Sequence, residues 1–306
     1  MSVYYWTGTT SGDPTVSTNY TPNGVPVSGD TVIVDGRATQ GINGGSGMSA
    51  VTLAVLRVTG GMKFSIGSNV SPMQISATIC QLNAPPDDGS SGNGPPVIAL
   101  NFGSVNSAIT VFNSPASGSG GLPPVLLEGS GTGNTLTVSG GNVGFGMTVP
   151  GESGAISSLT VNAAPSGSSR ATASRVTLGS GTTLTTINQS GGSILAYGTA
   201  PTVVQSGGTF QTSGSGTITT ATIGGTGVFN STGTITTLNV NGSGKADFSQ
   251  STAARTVTTA TVYGPGASLT ADNGSPLSVT FTNGVQCSQG AKSNQINLGT
   301  VKVSQS

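Results

Sequence analysis

The chain has 306 residues, 34% of them hydrophobic and only 6% charged, and its nine basic and nine acidic residues cancel to a formal net charge of zero. Scattered single Lys and Arg offer no clustered basic surface to neutralise phosphates, which argues against nucleic acid as a partner, and no apolar run reaches the length of a membrane span. Fifty Gly and sixteen Pro alternate with recurring Val, Ile, Leu and Thr, a pattern of many short strands and tight turns rather than of a disordered chain.

Residues 1–40 form a distinct opening, an N-terminal cap. Tyr5-Trp6-Thr7-Gly8 is followed by Asn19-Tyr20 and then by Gly24-Val25-Pro26 and Asp30-Thr31-Val32-Ile33-Val34, which leads from an aromatic pair through a turn into a strand. The single tryptophan, Trp6, is expected to fill this cap and to shield the backbone groups of the first coil.

Residues 41–130 alternate strand candidates with long breaks and are read as wider coils. The strands are Val51–Val58, Met73–Ile79, Val97–Leu100, Ala108–Phe112 and Val125–Leu127. Between them lie two Pro/Gly-rich loops, 84–96 and 113–124, whose prolines cannot continue a ladder. Loops projecting from a rigid stack are natural contact points, so Asp87, Asp88, Asn93 and Leu122 are the candidate partner-contact residues.

Residues 131–306 carry a regular repeat that ends in a C-terminal cap. Gly216-Thr-Ile-Thr-Thr-Ala-Thr-Ile223, Gly233-Thr-Ile-Thr-Thr-Leu-Asn-Val240 and Arg255-Thr-Val-Thr-Thr-Ala-Thr-Val262 are near-copies, each followed by a glycine corner and a second apolar arm. A unit this short cannot bury its own apolar face, so copies must stack, at roughly 18 residues per coil. The alternation places Ile218, Ile235 and Val257 inside and the flanking threonines outside. Phe210, Phe229, Phe248 and Leu269 follow at similar spacing and are expected to form one internal column. Cys80 and Cys287 are too far apart in sequence to share a coil, so two buried free thiols are expected.

The expected fold is therefore all-β, a parallel β-solenoid with an N-terminal cap; the alternative is a β-sandwich, in which the same segments would pair antiparallel. Catalytic sets are hard to assemble. Histidine is absent, which removes Ser-His-Asp and Cys-His catalysis and histidine metal ligation. The only adjacent carboxylates, Asp87 and Asp88, sit in a loop without the spacing of a calcium site, and Gly140–Gly146 has no lysine to make a phosphate loop. No enzyme activity, cofactor or metal is expected.

The Trp-x-Gly, Asn-aromatic, Gly-x-Pro and Asp-x-Val-x-Val succession of residues 6–34 resembles the beginning of β-solenoid proteins of bacteriophage virions. Tyr20 stands where those proteins more often carry Trp. The repeats are also similar to those of autotransporter passenger β-helices, which implies a right-handed parallel β-helix. The virion resemblance implies a structural protein on the particle surface, a capsid decoration or cement protein or a fibre. It would contact other virion proteins such as a major capsid protein, and it would be a homo-oligomer, with a trimer the expected state. The opening Met1–Gly8 lacks the features of a secretory signal, which fits synthesis in the host cytoplasm. Two other readings stay open. One is a bacterial adhesin or carbohydrate-binding solenoid. The other is an ice-binding protein, suggested by the Thr-x-Thr pairs Thr183/Thr185, Thr217/Thr219, Thr234/Thr236 and Thr256/Thr258, although their uneven spacing of 16–22 residues argues against a flat array.

Overall fold

The computed structural model describes residues 1–60, 63–84, 96–115, 121–147, 153–164, 173–272, 279–288, 290–291 and 296–298. The chain divides into two compact units, Met1–Thr182 and Thr183–Ser306. This boundary lies well beyond the expected one near residue 130. The reason is coil length: turns stay wide through residue 178 and tighten only afterwards.

The strands of the first unit are β1 (Val3–Trp6), β2 (Tyr20–Thr21), β3 (Thr31–Val34), β4 (Gly45–Thr59), β5 (Met73–Asn83), β6 (Ile98–Asn101), β7 (Ala108–Asn113), β8 (Val125–Glu128), β9 (Thr135–Val138), β10 (Asn142–Phe145), β11 (Ser153–Val161) and β12 (Arg175–Leu178). They stack in two parallel columns. In the first, β1, β3, β4, β5, β7, β9 and β11 pair in succession, with Val3, Thr31, Val55, Ile79, Ala108, Thr135 and Ser158 in register, so one turn takes 23 to 29 residues. In the second, Ile42, Ile66, Ile98, Val125, Val143 and Val176 lie one above another.

Because side chains alternate along a strand, each column sends a fixed set of positions inward. Trp6, Val34, Val58, Leu82, Val111, Val138 and Val161 form one continuous buried row. Val32, Leu56, Cys80, Ile109, Leu136 and Leu159 form its neighbour. Cys80 is thus a small hydrophobe occupying one place in an aliphatic row, and burial pushes its thiol well above the ordinary range.

Trp6 starts the first of these rows, fully buried, and its indole Nε1 donates to the Gln40 carbonyl at 3.0 Å. Tyr20 pairs with it across the short antiparallel β1–β2 contact, ring edge to face at 5.2 Å, and its hydroxyl donates to the Pro14 carbonyl. Asn19, completely buried, pins the intervening loop: its Oδ1 accepts from the Thr10 and Ser11 amides, and its Nδ2 donates to Ser11 Oγ and the Asp13 carbonyl. This is the cap expected from the opening residues. Apart from β1–β2, the strand pairings among the described residues are parallel, which removes the sandwich alternative and makes the fold a β-solenoid.

The second unit holds the main part of β13 (Gly181–Gln189), then β14 (Ser193–Ala196), β15 (Thr202–Gln205), β16 (Thr209–Thr212), β17 (Ile218–Ile223), β18 (Thr226–Phe229), β19 (Ile235–Asn241), β20 (Lys245–Asp247), β21 (Arg255–Tyr263), β22 (Ser268–Thr270), β23 (Val279–Phe281), β24 (Val285–Ser288) and β25 (Ile296–Asn297). Thr186, Thr202, Thr220, Thr237 and Thr259 stack in register, giving turns of 16, 18, 17 and 22 residues. As expected, Ile218, Ile235 and Val257 are buried in one row, which Phe281 extends.

The phenylalanine column differs from expectation. Phe210 is in register with Gly227, then Ala246, then Leu269, so Leu269 does not continue the ring stack. Phe229 and Phe248 lie two positions further along their arms. The rings meet because Phe229 folds back over Gly227, where any Cβ would come within 2.9 Å of its Cε2. The actual stack is Phe210, Phe229, Phe248 and Phe281, with centroid separations of 6.3, 5.0 and 5.9 Å. A second difference concerns Cys287. It follows Ile223, Val240 and Val262 in register but is exposed, on the last described rung of its row.

The longer turn between Thr237 and Thr259 keeps register because its extra residues leave the column as a stapled loop. Asp247 accepts from the Ser249 amide and hydroxyl and from Gln250 Nε2. Arg255, only 4% exposed, donates through Nε to the Ala253 carbonyl at 3.1 Å and through its terminal nitrogens to the Ser251 and Phe229 carbonyls.

Candidate contact surface

The four residues expected to meet a partner divide in two groups. Asp87, Asp88 and Asn93 lie outside the described residues. Leu122 is half-buried and packs, with Met147, onto a cluster of Val97, Ala99 and Leu126 on the outer side of the second column. Gly144 completes that row, where a Cβ would come within 3.0 Å of Leu126 Cδ2 and Met147 Sδ. The end of the 113–124 loop therefore covers a parallel sheet that would otherwise show an apolar outer face. Sequence reasoning missed this because Leu126 reads as one more inward residue in the run Val125-Leu126-Leu127.

The second unit presents a different surface. Within β17, Ile218 and Ala221 both point inward, while Thr219 and Thr220 between them point outward. The chain bends here, and the Thr219 and Thr220 amides both donate to the Pro201 carbonyl, at 3.0 and 2.8 Å. Each rung thus shows two outer faces. Before the bend, Thr217/Thr219, Thr234/Thr236, Thr256/Thr258 and Thr280/Thr282 flank the inward Ile218, Ile235, Val257 and Phe281, which stand in register on four consecutive rungs. Thr280 and Thr282 join an array that sequence reading had ended at Thr258. The uneven spacing does not disturb it, since added residues are absorbed elsewhere on the coil. Pro201 interrupts the second row one rung earlier, and Thr183/Thr185 carry the same pattern beyond that. After the bend, Thr220, Thr237 and Thr259 are stacked beside Thr222, Asn239 and Thr261.

Titratable groups are spread thinly. Asp30 is almost fully buried and accepts from the Ser2 amide at 2.6 Å and the Val27 amide at 3.0 Å, bonds that hold its pKa below the usual carboxylate range. Asp35 pairs with Arg37, whose guanidinium lies over the Tyr5 ring at 3.8 Å. Glu128 is 6% exposed, accepts from Asn101 Nδ2 through Oε2, and has no partner for Oε1 among the described residues. Burial raises its pKa against the opposing effect of that hydrogen bond. These carboxylates serve as turn locks or stand alone, a distribution suited to holding loops rather than to acid–base chemistry on a substrate. Among the described residues no three His, Cys, Asp or Glu side chains converge as a metal site. An apolar cleft in the first unit is lined by Trp6, Val34, Ile42, Phe64 and Ile66, with Lys63 and Asp35 also in its wall. Its only carboxylate is the ion-paired Asp35. No protein family, curated protein or solved structure matches the chain.

Proposed function

We propose that this chain is a non-enzymatic structural protein of a bacteriophage virion, a decoration or cement protein or a fibre displayed on the particle surface. The observation that carries the reading is the unbroken inward row from Trp6 to Val161, seven rungs in register under a dedicated aromatic cap. A stack tied by backbone ladders and close-packed rows is stiff, and stiffness is what a surface component needs in order to present loops at fixed positions. The resemblance of residues 6–34 to virion solenoids supports the same reading. The low charge of the chain limits nonspecific attraction to nucleic acid and other polyelectrolytes.

In this proposal the loop 84–96, rooted between β5 and β6, meets neighbouring virion proteins such as a major capsid protein, and the chain acts as a homo-oligomer, a trimer in the simplest arrangement. The test is attachment. Particles purified from a culture that carries this gene should contain the chain by mass spectrometry. Deleting residues 85–96 should lower its occupancy several-fold while the far-UV circular dichroism of the isolated chain stays unchanged. Unchanged occupancy refutes the role of the loop, and absence of the chain from particles refutes the virion assignment.

A further inference from the structure

We propose that the threonine face of the second unit binds the surface of ice. The face is built from Thr217/Thr219, Thr234/Thr236, Thr256/Thr258 and Thr280/Thr282, held in register by the buried row Ile218, Ile235, Val257 and Phe281. Six of these eight threonines are exposed, and Thr256 and Thr258 are half-exposed. Among the described residues none of their hydroxyls is engaged in a hydrogen bond. Neighbouring strands lie about 4.8 Å apart and alternate residues along a strand about 6.7 Å apart. The array therefore repeats its methyl and hydroxyl groups on a two-dimensional grid close to the oxygen repeats on the prism planes of hexagonal ice.

The side-chain chemistry suits this occupant. A β-branched threonine has few χ1 choices, so little rotamer freedom is lost when its hydroxyl is aligned on a rigid rung. The methyl rows leave troughs in which water orders without a strong competing donor, while the hydroxyls can join the lattice as donor and acceptor. The eight array positions hold no charged residue, whose hydration shell would disrupt an ice-like layer, and no aromatic ring, the usual platform for a sugar. A crystalline polysaccharide is thus the weaker candidate for the same flat surface. The property needs no particle and is independent of the virion reading.

The experiment uses the full chain. Thermal hysteresis and uptake of a fluorescently labelled chain into a slowly growing ice hemisphere are measured for the native protein, for Thr219→Lys/Thr236→Lys and for Thr209→Lys. Thr209 is exposed on the other column and in register with Thr226, which is in register with Lys245, so the stack already accommodates lysine in that row. The native chain and Thr209→Lys should shape ice and enter it, and the double variant should lose at least tenfold in both readouts. Should the lysine pair disturb the circular dichroism spectrum, Thr219→Ser/Thr236→Ser removes two methyl groups with minimal change of shape and should still lower hysteresis clearly. Exclusion of the native chain from growing ice, or equal activity of the array variants and Thr209→Lys, overturns the proposal.

Discussion

Replacing Phe229 by Ala, Gly227 by Ala, and both together tests how the interior of the second unit is packed. Phe229 is 1% exposed and sits between Phe210, edge-on at 6.3 Å, and Phe248, nearly parallel at 5.0 Å with 22° between the planes. Truncation at such a site leaves a cavity and costs about 4 kcal/mol. Gly227 has no left-handed backbone requirement, so its constraint is purely spatial: a Cβ would stand 2.9 Å from Phe229 Cε2 and 3.0 Å from Cζ. Overpacking of this kind costs about 2 kcal/mol. With the ring gone, the nearest remaining atom is Ile223 Cδ1 at 3.4 Å, an ordinary contact, so Gly227→Ala should become nearly neutral. Independent sites would sum to about 6 kcal/mol, whereas the double variant should lose only about 4, a coupling of about 2 kcal/mol. Urea unfolding followed by far-UV circular dichroism supplies the energies, and peptide-level hydrogen exchange should locate the loss within residues 209–270. Additive losses would refute the claim that the glycine exists to house the ring. A loss below about 1 kcal/mol for Phe229→Ala would refute the stack itself.

Further outcomes follow from single residues. Arg255→Met should destabilise the second unit by about 3 kcal/mol, because the Phe229, Ser251 and Ala253 carbonyls lose a charged donor; urea titration measures it. A thiol reagent should label Cys287 in the native chain and reach Cys80 only in denaturant, as quantified by intact mass. Glu128 has a raised pKa in the folded chain, so its contribution to stability is complete below the usual glutamate value and falls as pH rises through the window up to the raised value. Glu128→Gln should flatten that part of the pH–stability profile and leave the protein more stable at neutral pH, which denaturant titrations across the acid range will reveal.

Much of this architecture is legible in the chain itself. The Gly-Thr-Ile-Thr-Thr copies announce a stacked unit, because three aliphatic residues in a short arm have nothing to bury against except their own repeats. Trp6 and Tyr20 are readable as a cap for a related reason: bulky rings are scarce in this chain and are spent where a stack begins. The ring stack was only partly legible. Spacing alone groups Phe210, Phe229, Phe248 and Leu269, but spacing counts residues, and the arms of successive coils begin at different offsets. Gly227 and Ala246 occupy the Phe210 row, which admits the later rings from two positions further along and leaves Leu269 in a separate row.

The sequence by itself determined the periodicity, the inward aliphatic rows and the capped opening, since these depend on alternation and on local glycine corners. Tertiary structure alone decided what the outer surfaces became. Leu122 and Met147 cover the outer row of Ala99, Leu126 and Gly144, a choice made by loop path rather than by pattern. The threonines of the second unit fall into a grid although their copies are unevenly spaced, because Asp247 and Arg255 secure the loop that carries the extra residues. Register is a property of the backbone ladder, which joins residues far apart in the chain, so it emerges only once the coils are stacked.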